Sequence, residues 1–251
     1  MLKIGIIGLS GKMGQEIFNV LQKHPQAVFS EGCSSKAGTI ENVFKNSNIV
    51  IDFSSPRGFF EAAKIAKKTS IPLVSGTTGF SIQDEEEIKK ISKDIVLVMS
   101  SNMSFGVNML FKLAKDLSAK LKNKPEYDIE ILETHHINKK DSPSGTAITL
   151  GKKIAEGRDA DFYKVAQYGR NLQTHQKKQG EIGFSSIRSG GIIGEHAAIF
   201  GSIDDRIELS HKAFNRTIFA KGAVDLAIMV HKSYQKGLSN GLYEYLDFFE
   251  I

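Results

Sequence analysis

The sequence predicts an α/β protein: an N-terminal parallel sheet of Rossmann type, interrupted by an inserted α+β domain built on a mostly antiparallel sheet. Three observations predict it. Short apolar runs alternate with helical patterns through the first half, and the first run ends in a Gly-rich turn. Beyond residue 180 this rhythm gives way to alternating, β-rich runs separated by short polar turns. An amphipathic helix then closes the pattern.

Leu2 to Ile7 is a buried-strand run that ends in Gly8-Leu9-Ser10-Gly11-Lys12-Met13-Gly14. Met13, Ile17, Val20 and Leu21 then recur at helical spacing until His24-Pro25. Strand, Gly-rich turn and helix in this order form a dinucleotide fingerprint, with backbone and helix N-terminus facing a pyrophosphate. The spacing is G-x-x-G-x-x-G, so the first glycine departs from the commonest form. Gly8, Ser10, Gly11, Lys12, Met13 and Gly14 are the candidate cofactor residues here.

Strands are expected at Val28 to Cys33, Ile49 to Phe53, Pro72 to Ser75 and Ile95 to Met99. Helices are expected at Phe59 to Lys68, Asp84 to Ser92 and Val107 to Leu121. Ligands of such sheets collect beyond the C-terminal strand ends. Those ends carry Phe53, then Gly76, Thr77 and Thr78, then Ser100, Ser101, Asn102 and Met103, all candidate cofactor contacts. A strand at Asp128 to Glu133 leads through a His-rich loop into a helix at Thr146 to Glu156, and Gly157 to Gly180 reads as a long loop or an exposed excursion. Ile182 to Arg188, Glu195 to Gly201 and Arg206 to His211 are expected to pair antiparallel through short turns. The helix at Asn215 to Lys232 is expected to pack back on the first domain. Residues 1–104 and 216–251 thus form a dinucleotide-binding domain, and residues 105–215 a substrate-binding and tetramerisation domain. Hinges are expected near Ser104-Phe105-Gly106 and Asn215-Arg216.

The chemistry is expected in His135-His136-Ile137-Asn138-Lys139-Lys140-Asp141-Ser142-Pro143-Ser144-Gly145-Thr146-Ala147. Two imidazoles and two ammonium groups stand just before a helix N-terminus, whose unpaired N–H groups and dipole attract anions. Ser144, Gly145 and Thr146 would donate to a carboxylate or phosphate, and His135 and Lys139 can each give up a proton. A metal is not expected, because adjacent histidines in extended chain point to opposite sides and only Glu133 offers a further ligand at suitable spacing.

Composition narrows the classes. A 41% hydrophobic fraction excludes a wholly disordered chain, and no apolar run approaches the length of a membrane span. The single cysteine, Cys33, cannot form an internal disulfide, which suits a reducing, cytoplasmic setting. The net charge of +5 comes from 33 basic and 28 acidic residues interspersed along the chain, so no nucleic-acid surface is expected.

The string H-H-x-x-K-x-D-x-P-S-G-T-A, together with the N-terminal G-x-x-G-x-M-G, resembles the dihydrodipicolinate reductase family. The resemblance implies NAD(P)H-dependent reduction of 4-hydroxy-tetrahydrodipicolinate in the diaminopimelate route to lysine, by a homotetramer joined through the antiparallel sheets. It implies that His135 is the proton donor and Lys139 a second acid, with His136, Gly145 and Thr146 as carboxylate ligands. It also implies that Gly76 to Thr78 and Ser100 to Met103 line the nicotinamide side. Two readings compete: a non-catalytic dinucleotide sensor, which has no use for a protonatable His and Lys in one loop, and a reductase of another small imine or carbonyl acid.

Cofactor choice is read from the residues themselves. An NAD-type pattern places an acid about 20 residues beyond the glycines. Here Ser34, Ser35 and Lys36 stand at that point, and Glu31 falls too early within its strand. Hydroxyls and an ammonium suit a 2′-phosphate, so NADPH is expected over NADH, with both accepted.

Overall fold

The computed structural model describes residues 1–170 and 176–249. Contacts divide the chain into two compact units, Met1–Phe105 with Arg216–Ile251 and Gly106–Asn215.

The first unit is a six-stranded parallel sheet in the order β11-β5-β4-β3-β1-β2. Its strands are β1 (Leu2–Ile7), β2 (Ala27–Cys33), β3 (Ile49–Asp52), β4 (Leu73–Ser75), β5 (Val96–Met99) and β11 (Gly241–Tyr243). The inner strands are continuous apolar runs with almost every residue buried, as a sheet covered on both faces requires. The covering helices are α1 (Lys12–Leu21), α2 (Ile40–Lys45), α3 (Pro56–Thr69), α4 (Ile82–Ile91) and α8 (Thr217–Gln235). Local chemistry starts several of them. Ser55 caps α3 with Pro56 in its first turn, and Ser81 with Asp84 forms a capping box on α4. Along α8, Ala220, Ala223, Val224, Ala227 and Val230 enter the same core as Ile4, Ile6 and Ile17, so the helix does return to the first domain.

Register aligns the strand ends. Ile7 pairs with Cys33 and Asp52, Asp52 with Ser75, and Ser75 with Met99. The loops that follow therefore leave the sheet from one line, which brings residues far apart in sequence to one edge. The short α2 and β11 were not anticipated. Six and three residues are too few for a periodic signal, and their placement depends on the surfaces they cover.

The second unit contains α5 (Phe105–Lys120), β6 (Asp128–His135), α6 (Gly145–Gly157), α7 (Phe162–Val165), β7 (Ala166–Tyr168), β8 (Ile182–Arg188), β9 (Gly194–Gly201) and β10 (Arg206–Ala213). Its sheet has the order β10-β9-β6-β8-β7 and is mixed: β9 pairs antiparallel with β10 and β6, whereas β8 runs parallel to β6 and β7. The Ser202 to Asp205 turn makes the β9–β10 hairpin. The turn at Ser189 to Gly191 does not make a β8–β9 hairpin, because β6 lies between those strands. The stretch from Gly157 to Gly180 is not a plain loop, since it carries α7 and β7; residues 171–175 lie outside the described residues.

Ile182, Phe184 and Phe200 are in the core under α5 and α6, and Ile207 and Leu209 pack against it. Ile199 is half-buried and lies opposite Glu130 and Glu208 on the neighbouring strands.

Candidate functional site

In the first unit the Gly-rich turn follows β1 directly. Gly8 has φ +86°, and a Cβ there would strike the Phe53 carbonyl; a Cβ at Gly14 would strike the Gly8 carbonyl and Leu9. Gly11 stands at the N-cap of α1 and no side chain caps that terminus, so first-turn N–H groups remain available to an anion. Lys12 is exposed, Met13 half-buried against the core and Gly14 buried.

A cleft of about 970 Å³ opens at this turn, of a size that suits a dinucleotide. Gly8, Ser10 and Gly11 line it from β1, Ser34 and Ser35 from the end of β2, and Phe53 from the end of β3. Lys36 is exposed in the adjoining turn and does not line the cleft; its N–H bonds Ser34 Oγ. Arg57, Lys64 and Lys68, all on α3, do line it. The sequence reading missed them, because it searched for a cofactor-reading cation only near the end of β2. Arg57 also pairs with Glu61 at 3.2 Å, on the same helix face.

The next loops are tied together by Asp52, which is fully buried at the end of β3. Its Oδ1 accepts from Ser54 N (3.1 Å) and Ser54 Oγ (2.5 Å), and its Oδ2 from Ser75 Oγ (2.7 Å) and Thr77 Oγ1 (2.8 Å). Burial raises its pKa even against these four donors. Thr77 is therefore buried and committed to the scaffold, while Thr78 is exposed. Gly76 lies under the Phe53 ring, which would strike any Cβ there. Ser100 and Asn102 form a compact turn, with Ser100 Oγ donating to the Asn102 carbonyl at 2.6 Å and Ser104 N to Asn102 Oδ1 at 2.9 Å; Ser101 is half-buried beside them. Met103 is 1% exposed within the core, so its side chain packs and only its backbone is left for a ligand. An apolar residue after three polar ones gave no sign of its direction.

In the second unit His135 is the last residue of β6, not part of the loop, and is buried. Its Nδ1 is bonded to Glu133 Oε2. Residues i and i+2 of a strand share a face, which places this carboxylate beside the imidazole. Arg188 grips both oxygens of Glu133 from β8, through Nη1 at 2.9 Å and Nη2 at 2.8 Å, and Ser144 N adds a contact at 3.3 Å. Burial alone would raise the Glu133 pKa, but the hydrogen bonds from His135 and Arg188 prevail and bring it down to about 2. His196, on β9, meets the His135 ring edge-on at 5.0 Å and bonds Ser144 Oγ at 3.1 Å. Burial, and then the charge of His135, push His196 down to about 3, so this imidazole is neutral.

The loop then turns through a cis Ser142–Pro143 bond to Ser144, whose Oγ caps α6 by accepting from Ala147 N at 3.2 Å. Gly145 is exposed, and a Cβ there would meet only open space. Thr146 is buried and His136 half-buried. Lys139 pairs with Asp141 at 3.0 Å, and the Asp141 carboxylate also takes the Gly145 N–H. One carboxylate of the chain thus already sits between Lys139, expected as a second acid, and Gly145, expected as a carboxylate ligand. Glu133, Arg188 and His196 were not among the sequence candidates for a role here, and Ser144, expected as a donor to an anion, instead donates its N–H to Glu133 and caps α6. Only Glu133, two residues before His135, had a local signal that could have found it.

Two family models match the chain: "Dihydrodipicolinate reductase, N-terminus" over residues 2–103 and "Dihydrodipicolinate reductase, C-terminus" over residues 106–248. The second extends through α8 and β11, which fold into the first unit. Proteins named 4-hydroxy-tetrahydrodipicolinate reductase are similar along nearly their whole length. The one from Campylobacter jejuni subsp. jejuni serotype O:6 is 40% identical, covering 94% of this chain and 96% of its own. That of Wolbachia pipientis wMel is 39% identical, over 98% of both. Among solved structures, the dipicolinate-bound dihydrodipicolinate reductase from Paenisporosarcina sp. TG-14 shares the fold, with a TM-score of 0.72 at 22% identity over 100% of both chains. A probable dehydrogenase from Thermotoga maritima does so more loosely, with a TM-score of 0.59 at 12% identity over 98% of this chain and 92% of that one. On the two matching models and these near-full-length identities, the chain belongs to the dihydrodipicolinate reductase family.

Proposed function

We propose that the protein catalyses the NAD(P)H-dependent reduction of 4-hydroxy-tetrahydrodipicolinate to tetrahydrodipicolinate, a step of the diaminopimelate and lysine route. The observation that carries this is the pairing of a carboxylate-held imidazole, His135, with an anion-receptive helix N-terminus ten residues later in the same segment. The nicotinamide cofactor supplies the hydride to an unsaturated imine ring. The chain's part is to orient a dianion and deliver a proton. His135 is the proton donor, and Lys139 polarises the ring nitrogen or protonates the developing enamine. His136, Gly145 and Thr146 hold a substrate carboxylate. The short Asp141 contact with Lys139 and Gly145 gives way to it.

The first unit binds the cofactor, with the pyrophosphate on the Gly8 to Gly14 turn and the nicotinamide side lined by Gly76 to Thr78 and Ser100 to Met103. NADPH is preferred and NADH accepted: Ser34, Ser35 and Lys36 offer hydroxyls and a cation where an NAD-type site has an acid. The protein works as a cytoplasmic homotetramer joined through the sheets of the second unit. Leu132 and Ile187 contribute half-buried and exposed apolar side chains there.

The decisive assay follows NADPH oxidation with the condensation product of pyruvate and aspartate semialdehyde. Turnover is expected; folded protein that oxidises no cofactor would leave the sensor reading. Light scattering coupled to gel filtration reads the tetramer directly.

A further inference from the structure

We propose that Glu133 is the positioning residue of this site, holding His135 by Nδ1 so that Nε2 is the nitrogen that delivers the proton, while Arg188 balances the charge of Glu133. The proposal rests on the reading of His135 as the acid.

The hydrogen-bond inventory carries it. An ionised carboxylate can only accept, and Glu133 at about 2 is ionised at any working pH. The atom of His135 that faces it must therefore be N–H in both protonation states. Nδ1 is thus fixed as a donor and Nε2 is left to gain and lose the proton. Among the described residues, Nε2 has no hydrogen-bond partner of its own. The carboxylate cannot turn away, because Arg188 holds both of its oxygens and Ser144 N holds one.

Arg188 does a second thing. A lone buried carboxylate would favour the imidazolium strongly and make it a reluctant acid, whereas a bidentate guanidinium opposes that bias. Arg188 is itself fixed, with Nη1 donating to the Ile187 carbonyl at 2.7 Å and Nη2 to the Asp141 carbonyl at 2.6 Å. His196 on β9 packs against the His135 ring, and the other titratable groups that act on His196 are His211, its pair on β10, and Lys139, which is bonded to Asp141 in the loop. His196 is neutral and leaves Glu133 and Arg188 as the opposed charges nearest the ring. A buried Glu–Arg pair is often only structural, and that alternative makes different predictions.

The test compares pH profiles of kcat for the full-length enzyme and the variants Glu133→Gln, Glu133→Asp and Arg188→Gln, with circular dichroism to verify folding. Glu133→Gln is expected to lower kcat about ten- to a hundredfold, with substrate KM changed less than about threefold, and to move the alkaline fall of kcat to lower pH. Arg188→Gln is expected to move that fall to higher pH. Glu133→Asp should restore part of the rate. Glu133→Gln combined with His135→Gln should be no slower than His135→Gln alone, because one residue acts through the other. Opposite shifts cannot come from a general loosening of the fold. Shifts in the same direction, unmoved profiles, or losses that multiply in the double variant would overturn the proposal. If Glu133→Gln does not fold, Glu133→Asp and Arg188→Gln carry the comparison. Should His135→Gln alone keep its turnover, the reading of His135 as the acid fails, which is a separate result.

Discussion

Two buried carboxylates, one in each unit, have opposite fates. Asp52 is fully buried and met by hydroxyls and a backbone N–H alone, so burial wins and its pKa rises. Glu133 is 1% exposed and met by a guanidinium and an imidazole, so its pKa falls to about 2. The difference lies in the partners rather than the depth. Neutral donors make a carboxylate a knot between loops, and cationic donors make it an electrostatic tool. By this contrast the buried carboxylate of the first unit is a scaffold that ties loops together, and that of the second holds the imidazole proposed as the proton donor.

The sharpest way to break the contrast is His135→Gln. It should lower kcat by about two to four orders of magnitude and leave NADPH binding nearly unchanged. A variant that keeps most of its turnover would make the Glu133 cluster as structural as that of Asp52. Next in size, Asp52→Ala strands the hydroxyls of Ser75 and Thr77, while Ser54 N–H keeps its bond to Thr77 Oγ1. It should cost about 2–4 kcal/mol in urea unfolding and weaken NADPH binding, while the shape of the kcat pH profile stays as it was. A shifted profile would place Asp52 in the proton chemistry and erase the distinction.

Smaller effects sharpen it. Lys36→Ala should weaken NADPH by roughly tenfold and leave NADH little affected. Arg57→Ala, made in parallel, asks whether the cation lining the cleft reads the 2′-phosphate instead. The kcat/KM ratio for the two cofactors decides between them, and ratios unchanged in both variants would refute a charge-read preference. Last, Thr146→Val should raise substrate KM about fivefold through loss of one hydrogen bond to a carboxylate. A fall in kcat alone would contradict that role.

Much of this was legible along the chain. The dinucleotide turn, the alternation of strands and helices, and the His-Lys segment ahead of α6 are each contiguous, and short-range periodicity and turn chemistry suffice to read them. Ser34 and Ser35 were found by counting from the glycines, and the register of β2 with β1 puts them at the cleft. Lys36, counted the same way, is exposed beside the cleft and does not line it, and Met103 went into the core because only packing tells which side of a turn a residue takes.

By itself, then, the sequence determined the longer elements, the family and the segment that bears the proposed acid, since all of these depend on neighbours within about twenty positions. Tertiary structure alone decided which groups surround that acid. Arg188 is 55 residues from Glu133, and His196 is 52 from Ser144. They meet because β6 inserts between β8 and β9, an order no local pattern encodes, and because a register shifted by one residue would turn Glu133 and His135 to the other face.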